Sequence, residues 1–273
     1  MGRYVALGSS MAAGPGLWPR AAGSPLLAMR STRNYPHLVA QRCGLDLIDV
    51  TYSGATTANI LTRPQHGAPP QVTALDGSEQ VVTVTIGGND VGYVPLLSAA
   101  TLPTALRGLL LIGGRCSPRV AALLPAATLT ELLDPEARQR ALDRVGSLLR
   151  TVGETLRARS PRARILFVDY LTLLPPPGIP APPLEPAVAD LGRRLAAGLA
   201  AATAEAVAAT GCELVAAAAA SRDHHAWSAE PWTTGAGTIT GALLRRRPLP
   251  FHPTAAGMAA VADLVARQLS PLP

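Results

Sequence analysis

The way the short apolar runs of this chain end constrains its fold more than anything else. Tyr4 to Leu7, Leu45 to Thr51, Val81 to Ile86, Arg164 to Tyr170 and Glu213 to Ala217 all have strand composition. The first three run into small polar turns: Gly8-Ser9-Ser10, Ser53-Gly54-Ala55 and Gly87-Gly88-Asn89-Asp90. Between the runs lie segments with apolar residues at helical spacing, including Asn34 to Cys43, Arg138 to Arg157, Val188 to Ala209 and Thr254 to Leu269. Strands that alternate with helices predict a parallel sheet covered on both faces. The expected fold is a three-layer α/β/α sandwich with about five parallel strands in flavodoxin-like order, a single domain over residues 1–273. Such sheets gather ligands at the carboxyl ends of their strands, so residues just past those ends are the ones to inspect.

Composition removes several classes of function. A chain of 273 residues that is 48% hydrophobic can bury a large core and is not disordered. The longest apolar stretch, Leu102 to Leu124, is interrupted by Pro103, Arg107, Gly113-Gly114-Arg115 and Pro118, so no stable membrane insertion is expected. The net charge of +6 invites a nucleic-acid partner. Against this, all 24 basic residues are arginines, scattered except for Arg245-Arg246-Arg247, and aromatics make up only 4%, so stacking platforms are scarce. No nucleic acid is expected. Cys43, Cys116 and Cys212 have neither CxxC nor metal spacing. The first strand starts within three residues of Met1, which leads us to expect no secretory signal and a cytoplasmic location, with secretion the alternative if a leader was removed.

Four residues stand where a sheet edge would collect chemistry: Ser10, Gly54, Asn89 and His252. Each alone has an ordinary explanation, as a turn residue or as a histidine packed before a helix. Together and in this order they resemble the SGNH, or GDSL-type, hydrolase family. Gly8-Ser9-Ser10 corresponds to the nucleophile block, Ser53-Gly54-Ala55 to the glycine block and Gly87-Gly88-Asn89-Asp90 to the asparagine block. Phe251-His252-Pro253-Thr254-Ala255-Ala256-Gly257 corresponds to the histidine block.

The resemblance implies a serine esterase or lipase acting on a small-molecule ester or lipid-like substrate through an acyl-enzyme, with neither cofactor nor metal. Ser10 would attack the carbonyl carbon, and His252 would take its proton and return it to the leaving group. The backbone N–H groups of Ser10 and Gly54 and the side-chain amide of Asn89 would hold the oxyanion. The same scaffold also supports acyl transfer, thioester hydrolysis and deacetylation, and it could serve as a silent binding protein.

The chain departs from the family pattern in two places. Serine replaces the usual aspartate at position 9, and Leu249 stands where an aspartate usually precedes the histidine by three residues. A leucine side chain cannot orient an imidazole, but its carbonyl can accept Nδ1–H. Some secreted actinobacterial-type esterases of the family are similar in using a main-chain carbonyl, and this gives the expectation of a Ser10–His252 dyad oriented by the Leu249 carbonyl. The loop Asp223 to Trp232 resembles a loop of those esterases but lacks its cysteine. Trp227 and Trp232 are the expected substrate-binding residues, or else braces for that loop. His224 and His225 are expected to pack rather than bind metal. The leucine-rich segment 94–133 is a candidate wall for an acyl pocket, with ordinary helix packing the other reading. The oligomeric state is left open.

Overall fold

A computed structural model describes residues 2–102 and 129–270. Among them is a five-stranded parallel sheet: β1 (Gly2–Gly8), β2 (Leu45–Asp49), β3 (Val81–Thr85), β4 (Arg164–Val168) and β5 (Glu213–Val215). The spatial order β2-β1-β3-β4-β5 is the flavodoxin-like one expected. β1 pairs with β2 from Gly2↔Leu45 to Ala6↔Asp49, and with β3 from Tyr4↔Val81 to Gly8↔Thr85. That register brings Gly8 level with the end of β3, so the turn after β1 sits beside the turn after β3.

Alternation along each strand divides the core into two layers. Val5, Leu7, Val82, Val84, Ile165 and Phe167 face one way, onto Val145 and Leu149 of the helix Pro135–Arg159 and Leu195 and Leu199 of the helix Pro186–Thr210. Tyr4, Ala6, Leu166, Val168 and Val215 face the other way, onto Tyr35 and Val39 of the helix Tyr35–Cys43 and Met258, Val261 and Val265 of the helix Ala255–Leu269. Side chains of this size contribute about 2 kcal/mol each on full burial. The two threonines that β3 turns toward the second layer are buried, and they are satisfied by tyrosine hydroxyls: Tyr4 meets Thr83 at 2.7 Å and Tyr35 meets Thr85 at 2.9 Å.

Helix ends follow the expected chemistry. Gly44 and Gly211 close their helices in the left-handed conformation, and Thr254 caps the last helix by accepting the Gly257 N–H. Four short helices, Ser10–Ala13, Thr57–Leu61, Ala217–Ala220 and Ile239–Leu244, are not expected from the sequence; one or two turns are too few to show a period. Within the leucine-rich stretch, Tyr93–Ala100 and Leu129–Leu133 are helical. The rest of that stretch, with Cys116, lies outside the described residues. No described helix is long and apolar enough to cross a membrane.

Candidate active site

β1 delivers Ser10 to the carboxyl edge of the sheet as the first residue of the short helix Ser10–Ala13. Gly8 makes the exit possible. Its φ is +144°, and a Cβ there would lie 2.6 Å from the Thr85 carbonyl, so only glycine fits. Gln71 braces the same residue from both sides, accepting from Gly8 N–H at 2.7 Å and donating to its carbonyl at 3.0 Å. Ser9 N–H then donates to Thr85 at 2.9 Å. Ser10 is buried, and its own N–H, at the start of a helix, has no acceptor among the described residues.

Two side chains stitch the Gly54 loop to the Asn89 turn. Asn89 Nδ2 donates to the Ala55 carbonyl at 2.8 Å, using one of its two hydrogens. The Asp90 carboxylate accepts both the N–H and the hydroxyl of Thr57, at 3.1 and 2.6 Å, and burial raises its pKa. Gly54 has φ +80° and is exposed; a Cβ would meet nothing nearer than Gln65 Nε2 at 3.7 Å. Its glycine therefore answers to the backbone dihedral rather than to crowding. Its N–H, like that of Ser10, has no acceptor among the described residues.

Tyr170, which sequence reasoning missed, joins the other two turns. Its hydroxyl accepts the Gly88 N–H at 2.9 Å and lies 3.2 Å from Ser9 Oγ. Burial pushes the phenol up to about 12, so it keeps its proton and can donate it to Ser9. A Cβ on Gly88 would fall 2.5 Å from the Tyr170 ring. The serine that replaces the family's aspartate thus has a partner 161 residues away.

His252 enters from a loop docked against the turn that follows Ser10. Leu249 N–H donates to the Pro15 carbonyl at 3.1 Å, and a Cβ on Gly16 would lie 2.1 Å from the Arg247 carbonyl. The expected orienting carbonyl, that of Leu249, is corrected by the geometry. His252 Nδ1 lies 2.7 Å from the Pro250 carbonyl oxygen, whereas the Leu249 oxygen accepts the Thr234 hydroxyl at 2.6 Å. The reason lies in the residue between. Phe251 is buried with φ +59°, a conformation rare for a bulky side chain, and it turns the imidazole back onto the nearer carbonyl. Thr234 also accepts the His252 N–H at 3.1 Å and gives its own N–H to the His252 carbonyl at 2.9 Å, so one threonine clamps the whole loop.

Because a carbonyl only accepts, Nδ1 carries the proton and the Nε2 lone pair is left available. Burial lowers the His252 pKa to about 4, against a smaller opposing effect of the Pro250 hydrogen bond. The imidazole is neutral at pH 7, the form a general base requires. Asp169, at the exit of β4, is displaced the other way; burial raises it to about 6 although it accepts the Ala218 N–H at 2.8 Å.

The two loop tryptophans are engaged by their own surroundings. Trp232 stacks on His224 with ring centroids 4.0 Å apart, and Trp227 Nε1 donates to the Pro182 carbonyl at 3.1 Å. His224 Nδ1 meets the Glu230 carbonyl and His225 Nδ1 accepts the Trp227 N–H. These contacts brace the loop, and neither ring lines the cavity at its foot. That cavity, of about 640 Å³, opens at the exits of β4 and β5 between Leu173, Leu174, Leu199, Leu214 and the ring of Tyr170. No described residue of the leucine-rich segment 94–133 lines it; Tyr93, just before that segment, does.

Comparison with known proteins bears on the lineage and the fold. A family model described as GDSL-like Lipase/Acylhydrolase family matches residues 6–260. A Streptomyces coelicolor protein named Lipase 2 is 47% identical over 87 residues, which are 32% of this chain and 29% of that protein. The matched stretch thus spans under a third of that relative's length. Among solved structures, phospholipase A1 from Streptomyces albidoflavus superposes with a TM-score of 0.74 at 23% identity, covering 98% of each chain. An extracellular lipase from Streptomyces rimosus gives 0.72 at 22% identity, covering 98% of this chain and 99% of that one. At these identities the two superpositions establish the fold, and the match over residues 6–260 establishes the lineage: the chain belongs to the GDSL-like lipase/acylhydrolase family.

Proposed function

We propose that this protein hydrolyses carboxylic esters through an acyl-enzyme on Ser10, with a Ser10–His252 dyad in place of a triad. The observation that carries the reading is the geometry at His252: a buried imidazole with Nδ1–H engaged by the Pro250 carbonyl, which makes Nε2 the nitrogen able to accept a proton. In this reading Nε2 takes the Ser10 hydroxyl proton as Oγ attacks the ester carbon, then returns it to the departing alkoxide. The imidazolium formed in between is stabilised by a carbonyl dipole rather than by a carboxylate.

The oxyanion is received by the Ser10 and Gly54 N–H groups and by the second hydrogen of Asn89 Nδ2. Each such donor supplies about 3 kcal/mol to the transition state. Two of them are main-chain groups without an acceptor among the described residues, and the third is held by its bond to Ala55. The relatives named lipase and phospholipase support an acyl ester as substrate. We propose a reducing compartment, a choice supported by Cys43 and Cys212, which form no disulfide among the described residues.

The test is covalent. A fluorophosphonate probe should label the wild-type chain once, with the adduct on the peptide containing Ser10, and should leave Ser10→Ala unlabelled. A wild-type chain that resists the probe would favour the silent binding protein instead.

A further inference from the structure

Apart from the chemistry at the sheet edge, the chain carries an exposed apolar element. The helix Ile239–Leu244 buries none of its residues. Ile239 and Leu243, four apart and so on one face, are 60% and 44% exposed, and Leu244 is 81% exposed. Arg245, Arg246 and Arg247 follow directly, all exposed. None of the three has an acidic partner among the described residues. Arg246 lies over the ring of Trp18 at 4.7 Å, and Trp18 is itself 44% exposed. Apolar side chains interleaved with unpaired arginines and an indole suit the boundary between headgroups and acyl chains.

The position of this element gives it a purpose. Trp18 belongs to the segment that leaves Ser10, and Arg247 begins the segment that leads to His252. The two are joined by the Leu249 to Pro15 hydrogen bond and by the close passage of Gly16 under Arg247. Whatever the patch rests on is brought to the mouth of the candidate site. We infer that Trp18, Ile239, Leu243 and Leu244, with Arg245, Arg246 and Arg247, form a docking patch for an anionic lipid surface. Resting on the esterase reading, this names the substrate class as esters presented from a lipid aggregate. Charge complementarity selects this occupant over a second copy of the chain, which would bring the same unpaired arginines face to face.

The experiment measures binding apart from turnover. Ser10→Ala protein is sedimented with phosphatidylcholine vesicles containing or lacking phosphatidylglycerol, at low and high salt. The patch predicts binding that is about tenfold or more tighter with the anionic lipid and weakened by salt, since each arginine near such a surface contributes roughly fivefold. Adding Leu243→Ser and Leu244→Ser should weaken it by about tenfold or more. Replacing the three arginines with glutamine, an exposed change that leaves the fold alone, should abolish the preference for phosphatidylglycerol. Hydrolysis of soluble p-nitrophenyl acetate by a chain with intact Ser10 should be unaffected by either set of changes. Failure to bind vesicles, or binding equal in all variants, would overturn the inference, as would dimerisation in solution that the leucine changes abolish. Loss of soluble-ester hydrolysis in the wild type would instead strike the esterase reading and leave the vesicle result to judge the patch.

Discussion

The imidazole of His252 is held 2.7 Å from the carbonyl of Pro250, two residues back along the same loop. In the proposed mechanism the orienting carbonyl and the base therefore move as one piece, which Thr234 clamps by its hydrogen bonds to Leu249 and His252. Replacing Thr234 with alanine removes hydrogen bonds to Leu249 and to the His252 backbone, each worth about 1 kcal/mol. Stability should fall by about 1–2 kcal/mol and kcat by roughly tenfold or more, because small misplacements of a base are costly in rate. Leu249→Ala keeps every main-chain group and should leave kcat nearly unchanged. Urea denaturation alongside steady-state kinetics would check both.

In the proposed mechanism Tyr170 acts at one remove from the chemistry. Its hydroxyl fixes the Gly88 turn, which bears Asn89, against the Ser9 turn, which bears Ser10. Tyr170→Phe leaves the Gly88 N–H buried without a partner, a loss of about 1–3 kcal/mol in stability. As a positioning residue it should cost about tenfold in kcat per probe-titrated site, with KM within about twofold. Ser9→Asp in the same background should recover part of the rate, since a carboxylate can accept the orphaned N–H. An unchanged kcat per titrated site would reduce Tyr170 to a packing residue.

The acid limb of the rate profile follows from His252. With its pKa lowered to about 4 by burial, His252, the proposed base, stays neutral in the free protein down to that pH. A plot of kcat/KM against pH should therefore fall off near pH 4, well below the value of about 6.5 for an unperturbed histidine. A limb near 6.5 would mean that the imidazole is hydrated in the working enzyme.

His252 and Asp169 make opposite contributions to stability across the same range. His252 is lowered, so its contribution is present above about pH 6.5 and is lost as pH falls through 4; at 1.36 kcal/mol per unit this is about 3 kcal/mol. Asp169 is raised to about 6, so its penalty is present above that pH and relieved as pH falls toward 3.8, again by about 3 kcal/mol. Between pH 4 and 6 the two nearly cancel. Asp169→Asn keeps an acceptor for Ala218 and removes one side of the balance. The variant should be more stable than wild type at pH 7 and should lose stability more steeply on acidification, as thermal melts at intervals of pH would record.

Much of this was legible in the residues themselves. Strand runs that end in Gly-Ser-Ser and Gly-Gly-Asn-Asp located the sheet edge, and the order of Ser10, Gly54, Asn89 and His252 pointed to the family before any coordinates. Helix boundaries came within a few residues because Gly44, Gly211 and Thr254 are strong local signals. What escaped was long-range or set by backbone geometry. No local pattern marks Tyr170 or Thr234, whose partners are brought to them by the fold. The choice of Pro250 over Leu249 depends on the positive φ of Phe251, a conformation that its side chain disfavours and its sequence does not advertise. The loop tryptophans stack on and bond to neighbours that sequence alone could not distinguish from a ligand.

The central claim is that Ser10 is the nucleophile of an ester hydrolase, and the most direct measurement is p-nitrophenyl butyrate hydrolysis by wild type and Ser10→Ala under identical conditions. The account predicts clear turnover by the wild type and a fall of about 10³-fold or more in the variant, with an unchanged melting curve. Equal rates from the two proteins would contradict it.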